Sequence, residues 1–75
     1  MSIATKSTAT LIDELITTSN KCWHAQDQIM DTNKTERQRL EAAVTAQVTN
    51  ARRCELMREI DRRLGETQNL PKTYA

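Results

Sequence analysis

Apolar residues in the first third of the chain recur on heptad columns. Leu15, Cys22 and Ile29 form one column, and Ile16, Trp23 and Met30 form a second. Ile12, Ser19 and Gln26 lie between them. This spacing belongs to a helix with a broad apolar face, wider than a two-stranded coiled-coil seam. It predicts a first helix over about residues 8–30. Ser7, Thr8 or the Thr10–Asp13 segment can supply the N-terminal cap.

DTNK, residues 31–34, interrupts the pattern. Thr35-Glu-Arg-Gln38 then matches a capping box, in which threonine and glutamine each satisfy an orphan backbone donor of the other. A second helix is predicted over about residues 35–64, with Gly65 as the left-handed residue after its end. Leu40, Val44, Gln47, Ala51 and Cys54 keep a 4-3-4-3 spacing, and the stripe then shifts to Met57, Ile60 and Leu64. A skip of this kind changes local coiled-coil winding. The tail, 65–75, is predicted to be irregular, since Pro71 blocks helix.

A turn this short makes the helices antiparallel neighbours, so the expected class is an all-α two-helix hairpin. Folding the chain at residue 33 sets Cys22 near Val44, Ser19 near Gln47, Ile16 near Ala51 and Ile12 near Cys54. Ser19 and Gln47 would form a polar layer that fixes register. At 1.5 Å per residue the helices should be roughly 35 and 45 Å long, so the second overhangs the first. Leu56, Ile60 and Leu64 then lack cover unless Ile3 reaches them. Pairing two hairpins into a four-helix bundle covers both the overhang and the broad stripe. The expected working form is therefore a homodimer, with Leu15, Ile16, Trp23, Met30, Leu56, Met57, Ile60 and Leu64 at its interface.

Composition agrees with this picture. The chain has 75 residues, one Gly, one Pro and no Phe, while strong helix formers are plentiful. A single domain of this size has a marginal core and usually needs a further stabiliser. Two cysteines are too few for a disulfide framework, and no CxxC pair or His cluster suggests zinc. A second subunit remains. The net charge of +1 favours no polyanion. No apolar run approaches the roughly 20 residues of a membrane span. The first residues, MSIATKSTAT, lack the apolar stretch of a secretory signal, and with free cysteines this points to a reducing cytoplasm.

The rare residues cluster in NKCWHAQD, 20–27. Trp23 and Cys22 lie on the apolar stripe and are expected to face inward; Asn20, His24 and Asp27 face out. A His–Asp neighbour pair can orient an imidazole for acid–base or metal chemistry, but no HxxxH or ExxH spacing adds ligands. No metal, cofactor or catalytic residue is assigned. Arg52, Arg53, Arg58, Arg62 and Arg63 crowd the second helix, interleaved with Glu55, Glu59 and Asp61. Glu55 with Arg58, and Glu59 with Arg62 and Arg63, have intrahelical pair spacing. No aromatics interleave for base stacking, so a solvated face is expected before a nucleic-acid site. Arg52 and Arg53, beside Asn50, can also recognise an anion.

Two segments carry a resemblance: LIDELITTSNKCWHAQDQIMD, 11–31, and NARRCELMREIDRRLG, 50–65. With Leu11-Ile12-Asp13, Lys21-Cys22-Trp23, Gln26-Asp27, Asn50-Ala-Arg-Arg53 and Ile60-Asp61, the chain resembles a family of small, uncharacterised bacterial helical-hairpin proteins. The resemblance implies a hairpin in which Lys21, Trp23, Asp27, Asn50, Arg53 and Asp61 form a shared framework. It implies no activity.

The leading expectation is thus a non-enzymatic, dimeric adaptor or regulatory subunit with a possible heterologous protein partner. A second is a small-ligand or enzymatic site at a subunit interface, built from Asn20, His24 and Asp27 of one copy with Asn50, Arg52 and Arg53 of another. A third is nucleic-acid binding through the arginine-rich part of the second helix.

Overall fold

A computed structural model describes residues 3–65. A short 3-10 turn, Ile3–Thr5, leads into helix α1, Thr8–Met30, and helix α2, Glu36–Arg63, folds back along it. The protein is an all-α helical hairpin. The predicted tail, apart from Gly65, lies outside the described residues.

Local chemistry sets the ends of the helices. Ser7 is the N-cap of α1, and its Oγ accepts from the Thr10 backbone N–H at 3.1 Å. At the turn, Thr35 Oγ1 accepts from the Gln38 N–H at 3.1 Å, and Gln38 Oε1 accepts from the Thr35 N–H at 2.9 Å. Both bonds of the capping box are therefore made. Asp31 Oδ1 accepts from the Asn33 N–H at 2.9 Å, which tightens the turn. Arg39 braces it by donating Nε–H to the Ile29 carbonyl at 2.8 Å. After α2 the chain leaves through Gly65 at φ 73°, a left-handed conformation that costs glycine little.

The seam between the helices follows a heptad line through Leu11, Leu15, Thr18, Cys22, Ala25 and Ile29 of α1. On α2 it follows Ala42, Ala46, Thr49, Arg53, Leu56, Ile60 and Arg63. Every one of these side chains is buried or half-buried. This seam corrects the stripe read from the sequence. No skip occurs at Met57: the 4-3-4-3 rhythm runs to Arg63, displaced from Leu40, Val44 and Cys54, and Leu40 and Val44 are exposed. Large apolar residues marked the wrong line because the true seam is largely Ala, Thr and Cys. Small side chains let helix axes approach closely, so they fill an interface that bulkier residues would hold apart.

Among the described residues, the compact apolar cluster lies at the open end. Leu11, Leu56 and Ile60 are buried there together, with Ile3 and Leu15 packed against them. Ile3 does reach the overhang of α2, so Leu56 and Ile60 are covered within the chain and are not free for a partner. Arg63 holds the 3-10 turn in place by donating to the carbonyls of Lys6 at 2.6 Å and Ile3 at 3.1 Å, and to Thr8 Oγ1 at 3.2 Å. The expected Ser19–Gln47 layer is also corrected. Arg53 Nε donates to Ser19 Oγ at 2.9 Å, while Gln47 is exposed. Cys22 lies level with Ala46, its Sγ 3.8 Å from the Ala46 carbonyl, rather than with Val44.

With so few large side chains inside, each matters. Leu11→Ala or Leu56→Ala should destabilise the hairpin by about 2–5 kcal/mol, and Thr35→Ala by about 1 kcal/mol. Urea unfolding followed by circular dichroism measures both; a Leu11→Ala loss below that of Thr35→Ala would contradict the cluster's role.

Candidate functional site

A helix turns by about 100° per residue, so positions one before and one after the seam point to opposite sides of the hairpin. The position before the seam is mostly polar on both helices, with the exposed Val48 as its apolar exception. It holds Glu14, Lys21, His24 and Gln28 on α1, and Glu41, Thr45, Arg52 and Glu59 on α2. A shallow hollow lined by Gln28, Lys34, Gln38, Glu41, Ala42 and Thr45 lies on this side.

Among the described residues the polar face carries an exposed Arg37–Glu41 pair, 3.4 Å apart near the turn, and two larger ion-pair groups. Glu14 joins Lys6 at 2.7 Å to Arg52 at 2.8 Å, and so bridges the N-terminal segment to α2. Arg52 also lies 3.8 Å from Glu55. Glu59 accepts from Arg62 at 2.6 Å and from Arg63 at 2.7 Å. Hydrogen bonds from Lys6 and then Arg52 hold the Glu14 carboxyl below its ordinary range. Those from Arg62 and Arg63 bring Glu59 down to about 2, and the Glu59 carboxylate in turn raises Arg62. The Glu59 pairs match the spacing read from the sequence; Glu55 meets Arg52, a contact that reading missed.

The position after the seam is different. On α1 it holds Ile12, Ile16, Ser19, Trp23, Gln26 and Met30, in strict 4-3-4-3-4 spacing. Four of these are large and apolar, and exposed: Ile12 at 42%, Ile16 at 57%, Trp23 at 53% and Met30 at 78%. On α2 it holds Ala43, Gln47, Asn50, Cys54, Met57 and Asp61. Most of these are half-buried, small or weakly polar. A second hollow, lined by Ile29, Glu36, Arg39, Leu40 and Ala43, continues this surface toward the turn. Trp23 therefore does not face the hairpin interior, contrary to the sequence reading. Within NKCWHAQD, Cys22 and Ala25 point in, while Trp23 and His24 are exposed.

The six residues of the expected polar site do not converge within one chain. His24 and Arg52 lie on the polar face, where His24 Nε2 is 3.2 Å from Gln28 Nε2 and Arg52 is engaged by Glu14. Asn50 and Arg53 lie on the opposite side, with Arg53 bonded to Ser19. Asn20 and Asp27 lie on the outer flank of α1, exposed. Among the described residues no group of three His, Cys, Asp or Glu side chains is placed to hold a metal ion. No described helix is long and apolar enough to cross a membrane.

No family model, curated protein or solved structure matches the chain.

Acid should loosen the Glu14 and Glu59 pairs. Both carboxyls are lowered in the folded protein, so their contribution is complete above the unfolded value of 4.5 and is lost as pH falls through the lowered folded values, for Glu59 toward about 2. Glu14→Gln should remove part of this slope. Melting temperature measured from pH 6 to pH 2 checks it; a variant whose curve parallels the parent would contradict a role for the Lys6–Glu14–Arg52 bridge.

Proposed function

We propose that this chain is a non-enzymatic helical interaction module whose working form is a dimeric four-helix bundle, serving as an adaptor or regulatory subunit for another protein. One observation carries the reading. Helix α1 has two heptad seams, one residue apart, and the hairpin fills only the first. Offset seams of this kind lie about 100° apart, near the corner angle between neighbours in a four-helix bundle.

The shape supports the same conclusion. The hairpin measures 45 × 28 × 15 Å and is one helix layer thick. Domains are built from at least two packed layers around a core. Stacking a second layer on the Ile12–Met30 face would cover the exposed tryptophan and give the small seam residues a deeper core. Tryptophan is a common interface anchor because it covers a large area at low entropic cost. Leu15 and Met57 are half-buried at the edge of that face and would be completed by it.

The polar face, with its closed ion pairs, would remain in solvent and carry any contact with a third protein. Arg52, Arg62 and Arg63 are engaged by carboxylates of the same chain, which weighs against the nucleic-acid reading. Free thiols suit a reducing cytoplasm. The reading also fits the class of small bacterial hairpins that the Lys-x-Trp and Asn-x-x-Arg segments resemble.

Light scattering over a range of concentrations should give twice the chain mass. Ile16→Asp and Trp23→Glu should each reduce it to one chain mass while far-ultraviolet circular dichroism retains helix. A parent chain that is monomeric at all concentrations, or variants that stay dimeric, would overturn the proposal.

A further inference from the structure

Resting on the dimer reading above, we infer that the second copy is related by a two-fold axis parallel to the helices, so that α1 of each copy lies along α2 of the other. A bundle stacked on this face has one other closed arrangement, with the axis perpendicular to the helices and α1 lying on α1. The residues after the seam distinguish the two.

The level of each residue follows from the hairpin itself. Leu11 packs between Leu56 and Ile60, and Cys22 touches Ala46. Antiparallel packing of α1 on the partner's α2 at the same level sets Ile12 against the partner's Met57 and Ile16 against the partner's Cys54. Further along, Ser19, itself buried in the hairpin, lies level with the partner's Asn50, Trp23 meets the partner's Gln47, Gln26 meets the partner's Ala43, and Met30 meets the partner's Leu40. Large apolar side chains thus meet apolar ones at both ends. The polar pair falls in the middle, beside the Arg53–Ser19 hydrogen bond. A central polar layer of this type fixes register and orientation.

The perpendicular arrangement matches less well. Centred on the stripe, so that Ile12 meets the partner's Met30 and all six positions overlap, it sets Ile16 against the partner's Gln26 and Trp23 against the partner's Ser19. Two of the four large apolar positions of α1 then meet polar groups.

Charge on the rim points the same way. Asp13, Asn20 and Asp27 line the outer flank of the α1 stripe. With α1 on α1, Asp13 approaches the partner's Asp27, an acid against an acid, and symmetry repeats the clash. With α1 on α2, Asp13 comes level with the partner's Arg58, opposite in sign, and Asp27 comes level with the partner's Val44. Rim charges of this kind select between arrangements more than they add affinity.

Cys54 gives a direct test. It lies on the α2 part of this face, while Ile16 is exposed, so Ile16→Cys leaves the hairpin core untouched. Within one chain the two positions sit on neighbouring helices and point to the same side rather than at each other, and an intrachain disulfide would run as a monomer on the gel, so the covalent dimer is the readout. Mild oxidation of Ile16→Cys with copper phenanthroline should give a covalent dimer on a non-reducing gel. Peptide mapping should find the introduced thiol bonded to Cys54 of the other copy. The triple variant Ile16→Cys, Gln26→Cys, Cys54→Ala should stay uncrosslinked.

Light scattering of the same samples separates the two levels of the argument. A monomer overturns the dimer reading itself. A dimer that does not link to Cys54, or one that links in the triple variant, leaves the dimer standing and overturns the parallel axis. Circular dichroism confirms that each variant keeps its helices.

Discussion

A two-helix hairpin has one seam in which to hide apolar surface, and this chain fills most of that seam with small or polar side chains. Thr18, Ser19, Cys22 and Ala25 face Ala42, Ala46 and Thr49 through the middle. Among the described residues, Leu11, Leu56 and Ile60, with Ile3 and Leu15, make the compact apolar cluster. Burying a large aliphatic side chain contributes about 1.5–3 kcal/mol, whereas a buried alanine contributes far less. The two ends must therefore hold the middle together. The capping box and the Arg39 brace fix the turn, and the Leu11 cluster with the Arg63 clamp fixes the open end. Close approach between small residues becomes possible because both ends are pinned.

The same constraint explains where the large apolar residues went. They are not absent; they were moved one position along α1, to Ile12, Ile16, Trp23 and Met30. A helix with one partner gains little from a second apolar line, and the proposed dimer would give this one a use. The opposite line, one position before the seam, is mostly polar, and its main charges pair through Lys6–Glu14–Arg52 and Arg62–Glu59–Arg63. The hairpin is two-faced, and the division follows the heptad count rather than any local feature.

The hairpin architecture was legible in the sequence because its signals are local. Helix formers, the Thr35–Gln38 box and Gly65 each act within a few residues, and each does in the structure what its chemistry predicts. The inner seam was not legible. Hydrophobic patterning weights a position by side-chain size, and here the larger residues lie on the outer line. The reading therefore took Trp23 as inward, placed Ser19 opposite Gln47 and inserted a skip at Met57. One signal was available: Ala42, Ala46 and Thr49 continue in heptad step to Leu56 and Ile60, with small residues at the same rhythm on α1. The Lys6–Glu14–Arg52 bridge had no local signal, since it joins groups far apart in sequence at a level that only the folded seam sets.

The polar residues that attracted a chemical reading follow from the same geometry. His24 and Asp27 are near neighbours on α1, yet they fall on different sides of its outer surface, and Arg52 and Arg53, adjacent in sequence, are turned to opposite faces of the hairpin. Adjacent positions on a helix diverge by about 100°, so sequence proximity alone separates them. Arg53 is the instructive case. Its guanidinium crosses from the seam to Ser19, in the centre of an apolar line, where a methionine or leucine would pack as well. A hydrogen-bonded arginine there is a poor stabiliser of a lone hairpin and an effective marker of register, because any shift along the helices would leave its donors buried without partners.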